Sequence, residues 1–307
     1  MTGFVRTGIS AVSVFRMGVV KALVGIASSI FGLSQLCGVA AHGQTPQRGS
    51  IEIEYVNPRD PSFQPILNDL RERQVLEELQ EFLSPLRLPR PLKINLEQCD
   101  EPIKLYQPGS AVTICYEYIA QLVKLATQIP RESRTARGVS RGDALAGAFI
   151  QTTLQQTSSA VLDSLNVPVW GREQDAADKL AAYLMLQFGS ETARKLLNGA
   201  AYFFEASDRT WTGSDFSDVR STEAQRFYNY LCMAYGSDRK TFGDFVEGVA
   251  QGRGVGRIDL LPSRRAERCA SEYADFNWAF TSQVLPHVDP ALLQKVRSSD
   301  WLRHIRR

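Results

Sequence analysis

Residues 142–189 constrain the fold more than any other part of the chain, because they predict two helices joined by a sharp turn. Apolar residues cover much of the first helix, Gly142–Leu165, which indicates substantial burial. These residues are Leu145, Phe149, Ile150, Leu154, Val161, Leu162 and Leu165. Pro168 ends that helix and forces a turn. The second helix has an apolar stripe, and Gly189 is its natural C-cap. The stripe comprises Ala176, Ala177, Leu180, Ala181, Leu184, Met185 and Phe188.

The first of these helices carries a run of neutral polar residues in the middle of its apolar surroundings. The run is Gln155, Gln156, Thr157, Ser158 and Ser159. If the helix is buried, these side chains must find hydrogen-bond partners inside the protein. The run is either the polar face of an ordinary helix or the remainder of a functional site, and the sequence alone leaves both readings open.

The helix pair resembles a family of exported bacterial putative metallopeptidases with a zincin-like fold. The core pattern of that family runs approximately HELGHALIxxLxLPVxGREEDAADxxA. The resemblance needs no gap and depends on Leu165, Val167, Pro168, Val169, Gly171, Arg172, Glu173, Asp175, Ala176, Ala177 and Asp178. Weaker similarities extend it over much of the chain, at CYEY (115–118), RFYNYLCMAYGSD (226–238) and CASEY (269–273).

The resemblance implies which residues stand at the active-site positions of the family. Gln155 and Ser159 fall on the two histidine ligands, and Gln156 falls on the catalytic glutamate. Gln174 falls on the third ligand, with Asp178 as the remaining acid. Around these positions the chain retains the family's motif residues, namely Gly171, Arg172, Glu173, Asp175 and Asp178.

The residues at these positions lack the chemistry of a zinc peptidase. Two histidines four apart share a helix face and can hold one ion, while the glutamate between them reaches the bound water. Neutral oxygens of Gln155 and Ser159 are poor substitutes, because zinc prefers imidazole, thiolate or carboxylate. Gln156 cannot accept a proton as a general base. We therefore expect no zinc, no catalytic residue and a neutral hydrogen-bonded network of Gln155, Ser159 and Gln174.

Other chemistries remain as alternatives to this interpretation. An active zinc peptidase would need ligands that the motif does not reveal, and the histidines His42, His287 and His304 are not spaced to supply them. A serine nucleophile at Ser158 or Ser159 would need a base, but no G-x-S-x-G motif or neighbouring histidine is present.

The acids of the second helix raise the possibility of a calcium site. Calcium takes six to eight oxygen ligands, and Glu173, Asp175 and Asp178 have too few acidic companions elsewhere in the sequence. We expect instead that Glu173 and Asp178 are favoured by the helix dipole and that Arg172 pairs with one of them.

Residues 1–41 have the composition of a signal peptide. They contain Arg6, Arg16 and Lys21 without an acid, then an apolar run from Ala22 to Leu36 and the small residues CGVAA. Cleavage after Ala41 would leave one domain, 42–307, in the periplasm or outside the cell. The alternative is an uncleaved membrane anchor, which would be the chain's contact with the membrane.

Charge and cysteine content agree with export. Without the leader, 32 basic residues stand against 33 acidic ones, which gives no electrostatic support for nucleic-acid binding. Four cysteines remain, an even number without C-x-x-C spacing. We predict the disulfides Cys99–Cys115 and Cys232–Cys269, because each joins segments near in sequence and flanks a predicted element. Buried free thiols are the alternative.

The complete pattern predicts an α+β fold, a predominantly helical zincin-like domain with a small N-terminal β-sheet. Strands are predicted at Ser50–Val56, Leu92–Leu96, Ile103–Tyr106 and Ala111–Cys115. Besides the helix pair, helices are predicted at Pro61–Ser84, Tyr116–Gln128, Ser190–Glu205, Thr241–Gln251, Ser263–Gln283 and Pro290–Arg297, and from a cap at Ser221 to Tyr235.

The sequence therefore favours a pseudo-peptidase retained as a peptide-binding, protein-binding or assembly module. Zincin-type sheets offer an edge strand to which an extended peptide can add without being cut. An active metallopeptidase and a purely structural envelope protein are the alternatives.

Overall fold

A computed structural model describes residues 50–101, 103–127, 139–207, 217–246, 261–299 and 301. The predicted leader, 1–41, lies outside these residues, as do His42 and His304. Within the described ranges, no helix is both long enough and apolar enough to cross a membrane.

The sheet has three parallel strands in the order β1, β2, β3. They are β1 (Ile51–Tyr55), β2 (Leu92–Glu97) and β3 (Val112–Cys115). Apolar and charged residues alternate along β1, so one face is packed inward. All four residues of β3 are buried. Parallel neighbours need a long crossover. A 3₁₀ turn at Pro61–Phe63 and two α-helices connect β1 to β2, and the described residues between β2 and β3 form no helix.

Two predictions for this region are wrong in part. Pro61–Ser84 is divided into α1 (Gln64–Glu72) and α2 (Val75–Leu83), because Gln74 adopts the left-handed conformation at φ 53°. Ile103–Tyr106 does not form a strand. The backbone N–H of Tyr106 binds a side chain of another element instead of a neighbouring strand.

The remaining helices follow in chain order. They are α3 (Tyr116–Thr127), α4 (Arg141–Ser164), α5 (Glu173–Met185), α6 (Ser190–Ser207), α7 (Glu223–Ser237), α8 (Ser263–Ala266), α9 (Cys269–Gln283) and α10 (Pro290–Ser298). The predicted helix Ser263–Gln283 is thus two helices. Of the predicted helix Thr241–Gln251, the described residues form a single 3₁₀ turn at Gly243–Phe245, and residues 247–251 lie outside the described ranges.

Helix α4 lies at the centre of the fold and packs against α3, α5, α6 and β3. A capping box between Ser140 and Asp143 fixes its first turn. Every residue from Thr153 to Leu162 is buried, polar residues included. The prediction of a substantially buried helix is therefore confirmed.

Glycines allow α4 and α6 to approach closely. A Cβ on Gly147 would lie 2.7 Å from the backbone nitrogen of Ala200, and a Cβ on Gly199 would overlap the carbonyl oxygen of Asp143. The two helices therefore meet backbone to backbone, which fixes the position of α4 and of its polar run.

The predicted fold class, α+β with a small N-terminal sheet and mostly helices, is confirmed.

Candidate functional site

The candidate site is a buried cluster of three amides between α4 and α5. Gln155 Nε2 donates to Gln174 Oε1 at 2.5 Å, and Gln156 Nε2 donates to Gln155 Oε1 at 2.9 Å. The three residues are 5%, 2% and 7% exposed in the order Gln155, Gln156, Gln174. We call them the amide cluster. Each amide thus satisfies part of the hydrogen-bonding capacity of the next.

The turn between α4 and α5 brings the amides together. Asn166 (φ 51°) and Gly171 (φ 118°) both have positive φ values, and Gly171 occupies a region that is accessible almost only to glycine. Helix α5 begins two residues after Gly171, so Gln174 lies in its first turn. The backbone conformation of Gly171 therefore explains why glycine stands at this position, since the turn directs α5 back along α4.

Ser159 lies one turn after Gln155 and is fully buried. Its hydroxyl has no hydrogen-bond partner in the described part of the chain, and the same holds for Ser158. Of the three residues expected to converge, the structure joins Gln155 and Gln174 by a direct bond and leaves Ser159 outside that bond. No group that could act as a base is bonded to either serine.

A segment between β2 and β3 completes the site, and sequence reasoning did not anticipate it. The backbone N–H of Tyr106 donates to Gln156 Oε1 at 2.7 Å. The hydroxyl of Tyr106 donates to Asp163 Oδ2 at 2.8 Å. Burial, and then this bond to Asp163, raises the pKa of Tyr106. We call residues Ile103–Ser110 the strap. No local sequence signal could have shown this contact, because Tyr106 and Gln156 are 50 residues apart.

Asp178 is occupied by a buried ion pair with Arg226. The guanidinium donates from Nε at 2.8 Å and from a second nitrogen at 3.0 Å. Tyr230 Oη and Gln151 Nε2 donate to the same carboxylate at 3.1 and 3.2 Å. Burial alone lowers the pKa of Arg226, but the carboxylates of Asp178 and Glu223 raise it well above its ordinary value. These bonds connect α5 to α4 and α7. Both oxygens of the Asp178 carboxylate are occupied by partners within the protein.

The other retained motif residues have separate partners. Asp175 accepts bonds from the backbone N–H and the hydroxyl of Ser221, both at 2.8 Å. The prediction that Ser221 caps α7 is therefore wrong, since the N-cap residue is Thr222. Arg172 donates to the carbonyl of Arg220 at 3.1 Å, so the expected pairing of Arg172 with Glu173 or Asp178 is not formed. Glu173 is exposed in the first turn of α5.

The donor set of this site does not fit the zinc ion that the family resemblance implies. Zinc sites use imidazole, thiolate or carboxylate groups, and the amide cluster offers neutral amides already bonded to one another. Among the described residues, Cys99, Cys115 and Glu117 form the only close group of three potential ligands. Its cysteines are joined to each other. His287 belongs to no such group.

Both predicted disulfides are confirmed. Cys99–Cys115, with its Cα atoms 5.4 Å apart, closes the connection from β2 to β3 that contains the strap. Cys232–Cys269, at 5.0 Å, joins α7 to the first residue of α9. Two disulfides in a chain of this length indicate an oxidising, extracellular compartment.

A family model described as "Putative metallopeptidase" matches residues 55–282, which include the sheet from the end of β1, the strap and the amide cluster. No curated protein and no solved structure matches the chain.

Proposed function

Since this chain belongs to the family described as putative metallopeptidases, we propose that it is an exported member without zinc or hydrolytic activity that binds peptides or proteins. The amide cluster is the observation that supports this proposal. By the resemblance, Gln155 stands at the position of a metal ligand, Gln156 at that of the base and Gln174 at that of the third ligand. These three side chains are hydrogen-bonded in series.

The chemistry of the cluster opposes both halves of a zinc peptidase reaction. A metal-bound water reaches a pKa near neutrality only next to the ion, and neutral amides bind that ion poorly. Gln156 has no basic lone pair for a proton, and its Oε1 already accepts the N–H of Tyr106. The same groups are well suited to hydrogen bonding with a peptide backbone.

The sheet supplies the proposed binding edge. On β1, the side chain of Gln80 donates to the carbonyl of Ile51 at 2.7 Å, and that of Arg71 donates to the carbonyl of Tyr55 at 3.0 Å. Helices α1 and α2 thus occupy part of the β1 edge. β3 is the other edge and packs on α4. We propose that an extended peptide adds at β3; because all four residues of β3 are buried, this binding displaces a segment that covers the edge.

Metal content and peptide cleavage test the loss of activity. The exported full-length protein is purified without chelators, its metal content is measured by mass spectrometry, and a mixed fluorogenic peptide library is supplied. We expect substoichiometric zinc and no cleavage. Stoichiometric zinc together with chelator-sensitive cleavage would show that the chain is an active metallopeptidase.

Restoring the motif tests the assignment of positions. A variant with Gln155→His, Gln156→Glu, Ser159→His and Gln174→Glu should take up zinc in a metal titration. The matched control replaces Ser159→His with Thr157→His, which is equally buried but lies two residues from position 155 and therefore off the shared face. Equal zinc binding by the two folded proteins would contradict the assignment.

A displayed library of random peptides tests the binding proposal directly. The library is presented to the wild-type protein both oxidised and reduced with dithiothreitol. We expect enrichment of extended sequences in at least one of these two samples, and an excess of free wild-type protein should compete for the enriched peptides. A library without any enriched sequence would instead favour the structural envelope role.

A further inference from the structure

The strap is attached to the core mainly through Tyr106, with Ile103 packed partly buried against the hydrophobic core. Tyr106 is the only buried residue of Ile103–Ser110, and it bonds α4 through both its backbone N–H and its hydroxyl. Gly109 adds a backbone N–H that lies 2.9 Å from the hydroxyl of Tyr106 and 3.2 Å from Asp163. The strap therefore covers Gln156 and depends on few contacts.

The other polar contacts of the strap are local or exposed. Ser110 bonds to the backbone of Gln107 and Ala111 within the strap region. Lys104 lies 3.6 Å from Glu97 in a partly exposed ion pair, which contributes little. No helix or strand lies within the strap. Its position must therefore depend strongly on what holds its two ends.

The ends of this region are joined by the Cys99–Cys115 disulfide. Cys115 is the last residue of β3 and is 2% exposed, and Cys99 follows β2 and is only partly buried. The other disulfide is enclosed, with Cys232 at 1% and Cys269 at 0% exposure. Thiolates attack accessible disulfides first, so a reductant can distinguish the two.

From these contacts we propose that the strap is a disulfide-clamped cover of the amide cluster, and that reduction of Cys99–Cys115 uncovers the cluster. A dithiol reductant attacks one sulfur, the S–S bond breaks, and its second thiol resolves the mixed disulfide. The reductant becomes a disulfide, and Cys99 and Cys115 each end as a thiol. Two electrons and two protons are transferred in total.

Opening the strap would change what Gln156 can bind. Its Oε1 loses the N–H of Tyr106 and becomes an acceptor for the backbone N–H of another extended segment. This step rests on the proposed function, and it makes peptide binding dependent on thiols. The partner that replaces the strap is then an extended peptide that presents a main-chain N–H to Gln156.

Hydrogen–deuterium exchange of the full chain tests the cover without any peptide or metal. In a Cys99→Ser/Cys115→Ser variant, we expect amides of the strap and of 153–160 to exchange at least about tenfold faster, since a closed loop is released. The matched control, Cys232→Ser/Cys269→Ser, should leave strap exchange unchanged. Brief treatment of the wild-type protein with dithiothreitol should reproduce the first result, even if a variant fails to fold.

A second pair of variants tests the tie to α4 with both disulfides intact. Tyr106→Phe removes the bond to Asp163 and should speed strap exchange severalfold. Tyr116→Phe removes the hydroxyl of another buried tyrosine, which bonds the carbonyl of Val56, and should leave the strap unchanged. The proposal that the strap is a cover would be overturned if amide exchange in the strap did not change after reduction. It would also be overturned if exchange in α6 and α7 accelerated as much as exchange in the strap. Failure of the proposed function would appear separately, as a peptide library without enrichment by the reduced and the oxidised protein alike.

Discussion

Arg226 affects the position of the amide cluster indirectly, through its ion pair with Asp178. Its guanidinium lies 4.5 Å from the ring centroid of Phe204 and bonds Asp178 twice. Asp178 is four residues after Gln174, so both lie on one face of α5. The ion pair therefore fixes the rotation of α5 at which Gln174 meets Gln155. Asp178 therefore has a structural role in positioning this helix.

Replacing Asp178→Asn tests this tie. The change keeps the size of the side chain but leaves the buried cation of Arg226 without its main counter-charge. We expect the free energy of unfolding to fall by about 3–5 kcal/mol, measured by urea denaturation. Lys195→Ala, which removes an exposed ion pair with Glu191, should change it by less than about 0.5 kcal/mol. Similar losses in both variants would argue against the structural tie.

The buried Tyr118 should make the free energy of unfolding depend on pH in the alkaline range. Burial raises the pKa of Tyr118 to about 12 from an ordinary 10.0, and its hydroxyl lies 2.6 Å from that of Thr152. The folded state thus favours the protonated form, so this contribution is complete below pH 10 and is lost as pH rises towards 12. Urea midpoints across this range should fall less steeply for Tyr118→Phe than for the wild-type protein. Parallel pH curves would contradict the assignment.

At the scale of the elements, helices α4 and α6 are in close contact, and small residues make this contact possible. Gly147→Ala would place a methyl group against the backbone of Leu196 and Ala200. We expect a loss of about 1–3 kcal/mol in the free energy of unfolding, because neither backbone can move aside cheaply. Gly142→Ala is the control, since its nearest neighbour would be Ser140 Oγ at 3.7 Å. An unchanged free energy of unfolding in Gly147→Ala would mean that the two helices can move apart to accept the methyl group.

The elements also show what the sequence could and could not predict. Apolar periodicity predicted α4, α5 and α6 to within a few residues, because burial is a local signal. The predicted C-cap of α5 was wrong: α5 ends at Met185, and Gly189 follows a 3₁₀ turn at Leu186–Phe188. The break at Gln74 was missed since neither Gly nor Pro marks it. Ile103–Tyr106 has the composition of a strand, yet Tyr106 is drawn to Gln156 by a contact that no local pattern records. Arg226 and Asp178, 48 residues apart, were likewise not paired.

For the whole molecule, the two disulfides have different tasks. Cys232–Cys269 holds α7 against α9, and a Cβ on Gly236 would overlap the carbonyl oxygen of Cys269, so the two helices touch closely there. Cys99–Cys115 restrains a surface segment.

We expect Cys232→Ser/Cys269→Ser to lower the free energy of unfolding by about 2–4 kcal/mol, measured by urea denaturation. The same variant should retain the wild-type protection of the strap in hydrogen exchange. An undiminished free energy of unfolding would show that the α7 and α9 contact needs no covalent link.

The amide cluster keeps its hydrogen-bonding properties when the pH of the surroundings changes. Glutamine side chains neither gain nor lose a proton across the pH range in which proteins stay folded. A histidine-lined metal site releases its ion when the medium turns acidic, because protons compete for the imidazoles. Gln155, Gln156 and Gln174 instead keep the same donors and acceptors in mildly acidic and mildly basic media, so the proposed peptide binding should be insensitive to pH across that range.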